Sequence, residues 1–249
     1  MYGGNETMRL LLIRHGDPDY VLDGLTPTGV REAEMLSERI APMEVAEYYV
    51  SPLGRAKATA EPTLKKAGRT ASERIWLQEF AIPVARPDLD GPSHVPWDWL
   101  PQDWLRDPRF LDPVRWKENE IFQEAKVGWY YDLVTGAFDE VLAEHGYVRD
   151  GLCYRAERPN AKTLVFFCHF GTSCVLLSHL MNVSPMVLWH GTCMAPASVT
   201  TVYTEERRPC IAYFRAAAIG DTSHLYIKGA EPSFSGRFCE IHGNGERVD

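Results

Sequence analysis

The chain contains no apolar run near the ~18 residues that a membrane-spanning helix requires. Its opening, MYGGNETMRL, has no charged start followed by a long apolar stretch, so neither a membrane anchor nor a secretory leader is read there, and a cytoplasmic location is the expectation. Basic charge is also scarce. Against 34 Asp and Glu stand 26 Lys and Arg, a net charge of −8, which speaks against a general nucleic-acid or anionic-membrane partner. Any anionic ligand therefore needs a local gathering of cations. The six cysteines (Cys153, Cys168, Cys174, Cys193, Cys210, Cys239) form no CxxC pair, and three lie in strongly apolar stretches. They read as reduced core residues without a disulfide or metal role, and no cofactor or metal is expected. Internal repeats and low-complexity tracts are missing too, which leaves an ordinary globular composition and a length that suits one α/β domain over residues 1–249.

What is present is an alternation of strands and helices. MRLLLIR (8–14) is a short continuous apolar run of the kind found in strands buried on both faces. It is followed by LTPTGVREAEMLSERI, a helix with Thr26 as N-cap and Pro27 at its first position. VAEYYVSP reads as a strand stopped by Pro52, and LGRAKATAEPTLKKAG as a helix ended by Gly68 that Pro62 should kink or split. RIWLQEF reads as a third short strand. KTLVFFCHF is a second unmistakable buried strand, with GTSCVLLSHLMNV a helix behind it, and SVTTVYTEE and CIAYFRAAAIG form an antiparallel pair. The expected architecture is a three-layer α/β/α sandwich with a mainly parallel central sheet, one antiparallel edge hairpin and an irregular, partly helical insertion acting as a cap.

That insertion, residues 83–130, holds seven prolines and five of the seven tryptophans (Trp97, Trp99, Trp104, Trp116, Trp129). So much tryptophan disfavours disorder. Two readings stand side by side: a functional lid over a pocket, or an aromatic minicore that fills space.

Chemistry gathers at strand ends. Arg14, His15 and Gly16 follow the carboxyl end of the first strand, where open α/β sheets place their ligand crevices. His169 holds the equivalent place on the other strong strand, and Phe170, Gly171 and Thr172 open a helix whose free N–H groups favour an anion. Arg55 follows the second strand. Alone, each of these residues is more simply a surface or structural side chain; together they put two guanidiniums and two imidazoles on one sheet edge of an acidic protein. The simplest ligand is a phosphoryl group. His190, His224, His94 and His145 receive no chemical role, and His145 beside Gly146 reads as a helix C-terminal cation.

These stretches resemble the histidine phosphatase superfamily in its phosphoglycerate mutase-like branch. The resembling parts are, in order, LLIRHGD, LTPTG, SPLGRAKATA, LQEF and VFFCHFGT, and they span most of the chain. The resemblance implies a phosphoric monoester hydrolase of the histidine acid phosphatase type that needs no metal. His15 would form a phosphohistidine, with Arg14, Arg55 and His169 holding the phosphoryl oxygens and Glu79 acting as proton donor. Gly16, Thr26, Phe170 and Gly171 join Arg14 and Arg55 as expected substrate contacts. Gly16 would let the backbone approach the phosphate, and Thr26 has helix capping as its alternative role. Related branches carry an Asp after the second histidine, where this chain has Phe170.

Departures shape the expectation. Phosphoglycerate mutases follow Arg-His-Gly with Glu-Ser, whereas Asp17, Pro18, Asp19 and Tyr20 stand here, so hydrolysis of a small phosphomonoester is favoured over mutase chemistry. A mutase, and a catalytically weak phospholigand-binding protein, are the alternatives. The tryptophan-rich insertion suggests an apolar or aromatic leaving group. The oligomeric state, a homodimer included, is left open.

Overall fold

Strand β1 (Arg9–Arg14) shows why the first apolar run needs no polar face. Leu10 and Leu12 point into one buried cluster and Leu11 and Ile13 into another, the period-two alternation of a strand covered on both sides. The computed structural model describes residues 7–89, 94–236 and 238. After β1 come β2 (Pro18–Asp19), β3 (Gly24–Leu25), α1 (Pro27–Ile40), β4 (Glu47–Val50), α2 (Gly54–Ala67) and β5 (Ser72–Glu73). Short helices α3 (Pro101–Trp104) and α4 (Glu120–Glu124) lead to the long α5 (Val127–Glu144). Then follow β6 (Tyr147–Asp150), β7 (Cys153–Ala156), β8 (Thr163–Cys168), α6 (Phe170–Met181), α7 (Pro185–Gly191), β9 (Val199–Arg208), β10 (Ile211–Asp221) and α8 (Ser223–Tyr226).

Eight strands form one sheet in the order β5-β4-β8-β1-β9-β10-β7-β6, and β2 and β3 make a separate two-stranded ribbon. The β5-β4-β8-β1 side is parallel, as the sequence predicts for strands joined through helices. From β9 onward every pairing is antiparallel. Helices α1 and α2 cover one face through Leu36, Ile40, Ala56 and Ala60; α5, α6 and α7 cover the other, where Phe138, Leu176 and Trp189 join the core. The three-layer architecture is thus present.

Four local expectations are corrected. The β9–β10 hairpin lies inside the sheet, because β6 and β7 form a second hairpin beyond it and supply the edge. The turn of that second hairpin is Gly151-Leu152, with Gly151 at φ +60° in the first turn position, a hairpin signal the sequence reading passed over. RIWLQEF is not a strand: β5 ends at Glu73, and Ile75–Leu77 form a tight helical turn that buries Trp76 and Leu77. Pro62 does not split α2, which runs unbroken over 14 residues and ends, as expected, on Gly68 in the left-handed region. Of the cysteines, Cys168 and Cys174 are core residues, but Cys193 and Cys210 are exposed; Cys239 lies outside the described residues.

Within the insertion, Trp99, Trp104, Phe110, Trp116 and Phe122 are buried, and they belong to the same cluster as Leu10, Leu164 and Phe166 of the sheet. Trp116 packs on Tyr131 of α5 and on Trp189 of α7, with ring centroids 5.0 and 6.5 Å apart. The insertion therefore shares its core with the sheet. We expect Trp116→Ala to cost about 3–5 kcal/mol in denaturant unfolding. Far-ultraviolet circular dichroism and tryptophan fluorescence should report one common transition; two separate transitions would show an insertion that melts by itself.

Candidate active site

The register of β1 against β8 pairs Arg14 with Cys168, so the residues just beyond each strand, His15 and His169, meet at one sheet edge. Their ring centroids lie 5.1 Å apart, and the His15 N–H donates to the Cys168 carbonyl at 3.0 Å. Both rings are almost fully buried. Arg55, in the first turn of α2, reaches the same place because β4 runs parallel to β8 and ends beside it.

His15 is held in one tautomer. Its Nδ1 lies 2.7 Å from the Gly16 carbonyl, which can only accept, so Nδ1 carries the proton and Nε2 keeps its lone pair. Burial drives the His15 pKa well below its ordinary value, and the Arg14 guanidinium adds to this, so the ring is neutral at physiological pH. Burial does the same to His169, with His15 the next contributor. His169 Nε2 sits 2.8 Å from the Ser51 hydroxyl. A Ser51 hydroxyl that donates here would leave His169 Nδ1 as the protonated nitrogen, and that atom has no partner among the described residues.

A cavity of about 130 Å³ opens at this edge. Arg14, His15, Arg55 and Glu79 form its polar wall, and Tyr20, Trp97, Phe170 and Phe238 its aromatic wall, with Gly236 completing the lining. His169, its ring centroid 5.1 Å from that of His15, adjoins the cavity and is not among its lining residues. Arg14 Nη1 donates to the Met194 carbonyl at 2.6 Å and, at 3.3 and 3.4 Å, to those of Ser235 and Gly236. Its Nε, like Arg55 Nε, is buried without a partner among the described residues.

Glu79 is fixed at the start of α6. Its Oε1 accepts from the backbone N–H groups of Phe80 at 2.8 Å and Thr172 at 3.0 Å. Burial raises its pKa, and these N–H groups oppose the rise without cancelling it. The helix N-terminus expected to bind an anion is thus occupied by the protein's own carboxyl group.

Other expected contacts hold the frame instead of lining the cavity. The Gly16 N–H donates to the Thr59 hydroxyl at 2.9 Å, and a side chain at Gly16 would meet the Gly29 carbonyl at 2.8 Å, so the close approach that requires glycine is to α1. Thr26 caps α1 by accepting from the Gly29 N–H at 3.1 Å, while its hydroxyl donates to Asp17 at 2.6 Å. A Cβ at Gly171 would collide with the Trp97 ring and fall 2.7 Å from Glu79 Oε1, so this glycine makes room for two lining residues. His145 is no cation: burial lowers its pKa, and its Nε2 lies 2.9 Å from the Tyr49 hydroxyl.

Two residues escaped sequence reasoning. Asp23, at φ +46° in the turn between β2 and β3, bonds Arg55 Nη1 at 2.7 Å and accepts from the Gly54 N–H at 2.6 Å. Burial works against this carboxylate, yet the Gly54 N–H and the guanidinium hold it below the usual range. Glu32, buried in α1, accepts from the Asp17 N–H at 2.7 Å and the Ser233 N–H at 2.9 Å. The signal for Asp23 was the Asp-Gly pair beside a ribbon turn; Glu32 showed only as a charged residue on a helix.

With this geometry in place, residues 10–109 match the model of the histidine phosphatase superfamily, branch 1. The match carries His15, Arg55 and Glu79, and His169 lies beyond it. A comparison with curated proteins returns no match. Among solved structures, a phosphoserine phosphatase mutant from Entamoeba histolytica, in complex with phosphoserine, is 19% identical with a TM-score of 0.57, covering 88% of this chain and 99% of its own. The mycobacterial glucosyl-3-phosphoglycerate phosphatase is 16% identical with a TM-score of 0.57, covering 87% and 100%. YhfR of Bacillus stearothermophilus is 21% identical with a TM-score of 0.55, covering 87% and 98%. These likenesses establish a shared fold.

Asp23 orients Arg55 without lining the cavity. Asp23→Asn should weaken inorganic phosphate binding by about tenfold in calorimetry while the melting temperature stays nearly unchanged. Unchanged or tighter binding would show that Arg55 needs no such anchor.

Proposed function

We propose that this protein hydrolyses small phosphomonoesters through a phosphohistidine on His15, without a metal ion. The observation that carries the reading is a set of three buried nitrogens without partners among the described residues, Arg14 Nε, Arg55 Nε and His169 Nδ1, gathered around a histidine whose Nε2 lone pair is free. Buried donors in a native protein are normally paired, and an anion with several oxygens is the ligand that would pair all three.

In the first step His15 Nε2 attacks phosphorus, the ester P–O bond breaks, and the departing oxygen takes a proton from Glu79. Arg14, Arg55 and His169 donate to the phosphoryl oxygens, over which a loose transition state spreads its charge. In the second step water attacks the phosphohistidine and gives its proton to the Glu79 carboxylate. The P–N bond breaks and phosphate leaves, with His15 and Glu79 restored. One oxygen of Glu79 is tied to backbone N–H groups, which leaves the other for proton transfer. The raised pKa suits the group to donate first and accept second.

A labelled phosphoester, quenched in acid and in base, tests the intermediate. A base-stable, acid-labile adduct absent from His15→Ala is expected, and normal turnover by that variant would overturn the mechanism. The pH profile has a defined sign. Reaction needs neutral His15 and protonated Glu79, so kcat/KM should fall on the acid side only below the ordinary histidine range, and on the alkaline side above the ordinary carboxylate range. Glu79→Gln should abolish the alkaline limb and lower turnover of alkyl phosphates by about 10²–10⁴-fold, with a much smaller loss for p-nitrophenyl phosphate, whose leaving group needs no proton. Equal losses on both substrates would remove Glu79 from proton transfer.

A further inference from the structure

We infer that the site takes aryl phosphomonoesters, with an uncharged single-ring leaving group held against Trp97. The inference rests on the phosphatase reading above and assigns its substrate class.

Where the leaving group goes is fixed by Glu79, which must reach the departing oxygen. The space at Gly171 shows that Trp97 and Glu79 crowd the same point, since a single added Cβ would meet both side chains. Glu79 and Trp97 also line the cavity together, so a leaving group protonated by Glu79 has the Trp97 ring beside it. Trp97 is itself braced: it stands edge-on to Phe170 at 5.9 Å and 85°, and against Trp189 at 5.9 Å. Phe238 packs on Phe170 at 5.0 Å, and Tyr20 lies over Arg55 with its centroid 5.4 Å from the guanidinium carbon. The non-phosphoryl wall is thus four rings, and a planar apolar group can meet them edge-on or offset.

Charge on the described lining favours the same class. Among the described lining residues the cations are Arg14 and Arg55, and both are engaged at the phosphoryl end. A substrate carboxylate, such as that of a phosphorylated amino acid or sugar acid, would stand beside Glu79 with no further cation among the described lining residues to pair it, which is costly. Size narrows the choice further. At about 130 Å³ the cavity is smaller than the ~300 Å³ at which sites for drug-sized ligands begin, and it suits a phosphoryl group with one ring.

Since aryl esters are intrinsically more reactive, binding must be read separately from turnover. The test measures inhibition constants of three unreactive ligands: inorganic phosphate, benzylphosphonate and 2-carboxyethylphosphonate. We expect benzylphosphonate to bind about tenfold tighter than the carboxylate analogue, and Trp97→Leu and Trp97→Ala to reduce that advantage to about twofold while phosphate binding changes little. Equal or tighter binding of the carboxylate analogue overturns the assignment but leaves the phosphatase reading standing. Equal weakening of all three ligands in both variants also overturns it, because Trp97 would then support the site as a whole. If phosphate fails to bind and no phosphoester is turned over, the phosphatase reading falls and takes this inference with it. Phenyl phosphate and a phosphotyrosyl hexapeptide, compared as substrates of the unaltered protein, distinguish a free aryl phosphate from a peptide-borne one.

Discussion

Everything at the candidate site depends on the register in which β1 lies beside β8. With Arg14 opposite Cys168, the two strands end level, and the residues that follow them, His15 and His169, come within 5.1 Å. Because strand side chains alternate between faces, a slip of one residue would turn Leu10 and Leu12 into the layer of Leu11 and Ile13 and carry the histidine out of line. The two hydrophobic layers thus set the position of the imidazole. Parallel pairing of β4 on the other side of β8 brings Ser51 and Arg55 to the same level, so three strand ends build one polar wall.

That wall concentrates positive charge where water is scarce. Burial and the neighbouring guanidiniums keep both histidines neutral, which avoids the larger penalty of four adjacent cations and leaves His15 nucleophilic. Each guanidinium has a different anchor. Asp23 neutralises part of Arg55's charge, whereas Arg14 meets three backbone carbonyls and, among the described residues, hydrogen-bonds to no carboxylate. Two of those carbonyls, from Ser235 and Gly236, come from the far end of the chain, and Glu32 holds the same segment through Ser233 while also holding Asp17 in the loop after His15. The first loop and the last described segment are therefore fastened to one buried carboxylate.

The strand ends were legible because apolar runs stop there abruptly: RLLLIR before His15 and TLVFFC before His169 leave little doubt about where the sheet edge lies. Arg55 and Glu79 were legible through the motifs they stand in. Asp23 and Glu32 were not, since each acts through a contact that local pattern cannot encode: Asp23 reaches 31 residues along the chain to Gly54, and Glu32 reaches 201 to Ser233. Gly16 was legible as a glycine that something approaches closely, but its partner, the Gly29 carbonyl of α1, belongs to packing. The hairpin edge was mistaken for a similar reason. Strand pairing order is a property of the whole sheet, and the β6–β7 strands that displace β9–β10 from the edge are only four residues each.

The tryptophan-rich insertion joins what had looked like separate readings, a lid and a minicore. Trp99, Trp104 and Trp116 are buried in the core shared with α5 and α7, and Trp97, on the same short stretch, turns to the cavity. His190 of α7 helps fix that stretch: its Nε2 lies 3.0 Å from the Trp99 carbonyl and its Nδ1 2.9 Å from that of Met186. A ring that must present a defined face to a ligand needs a support that does not yield, and aromatic packing supplies it at a modest cost in side-chain entropy. The minicore is thus the means by which one tryptophan is held in place at the cavity. Gly171 completes the arrangement from the sheet side by giving up a side chain where Trp97 and Glu79 come together.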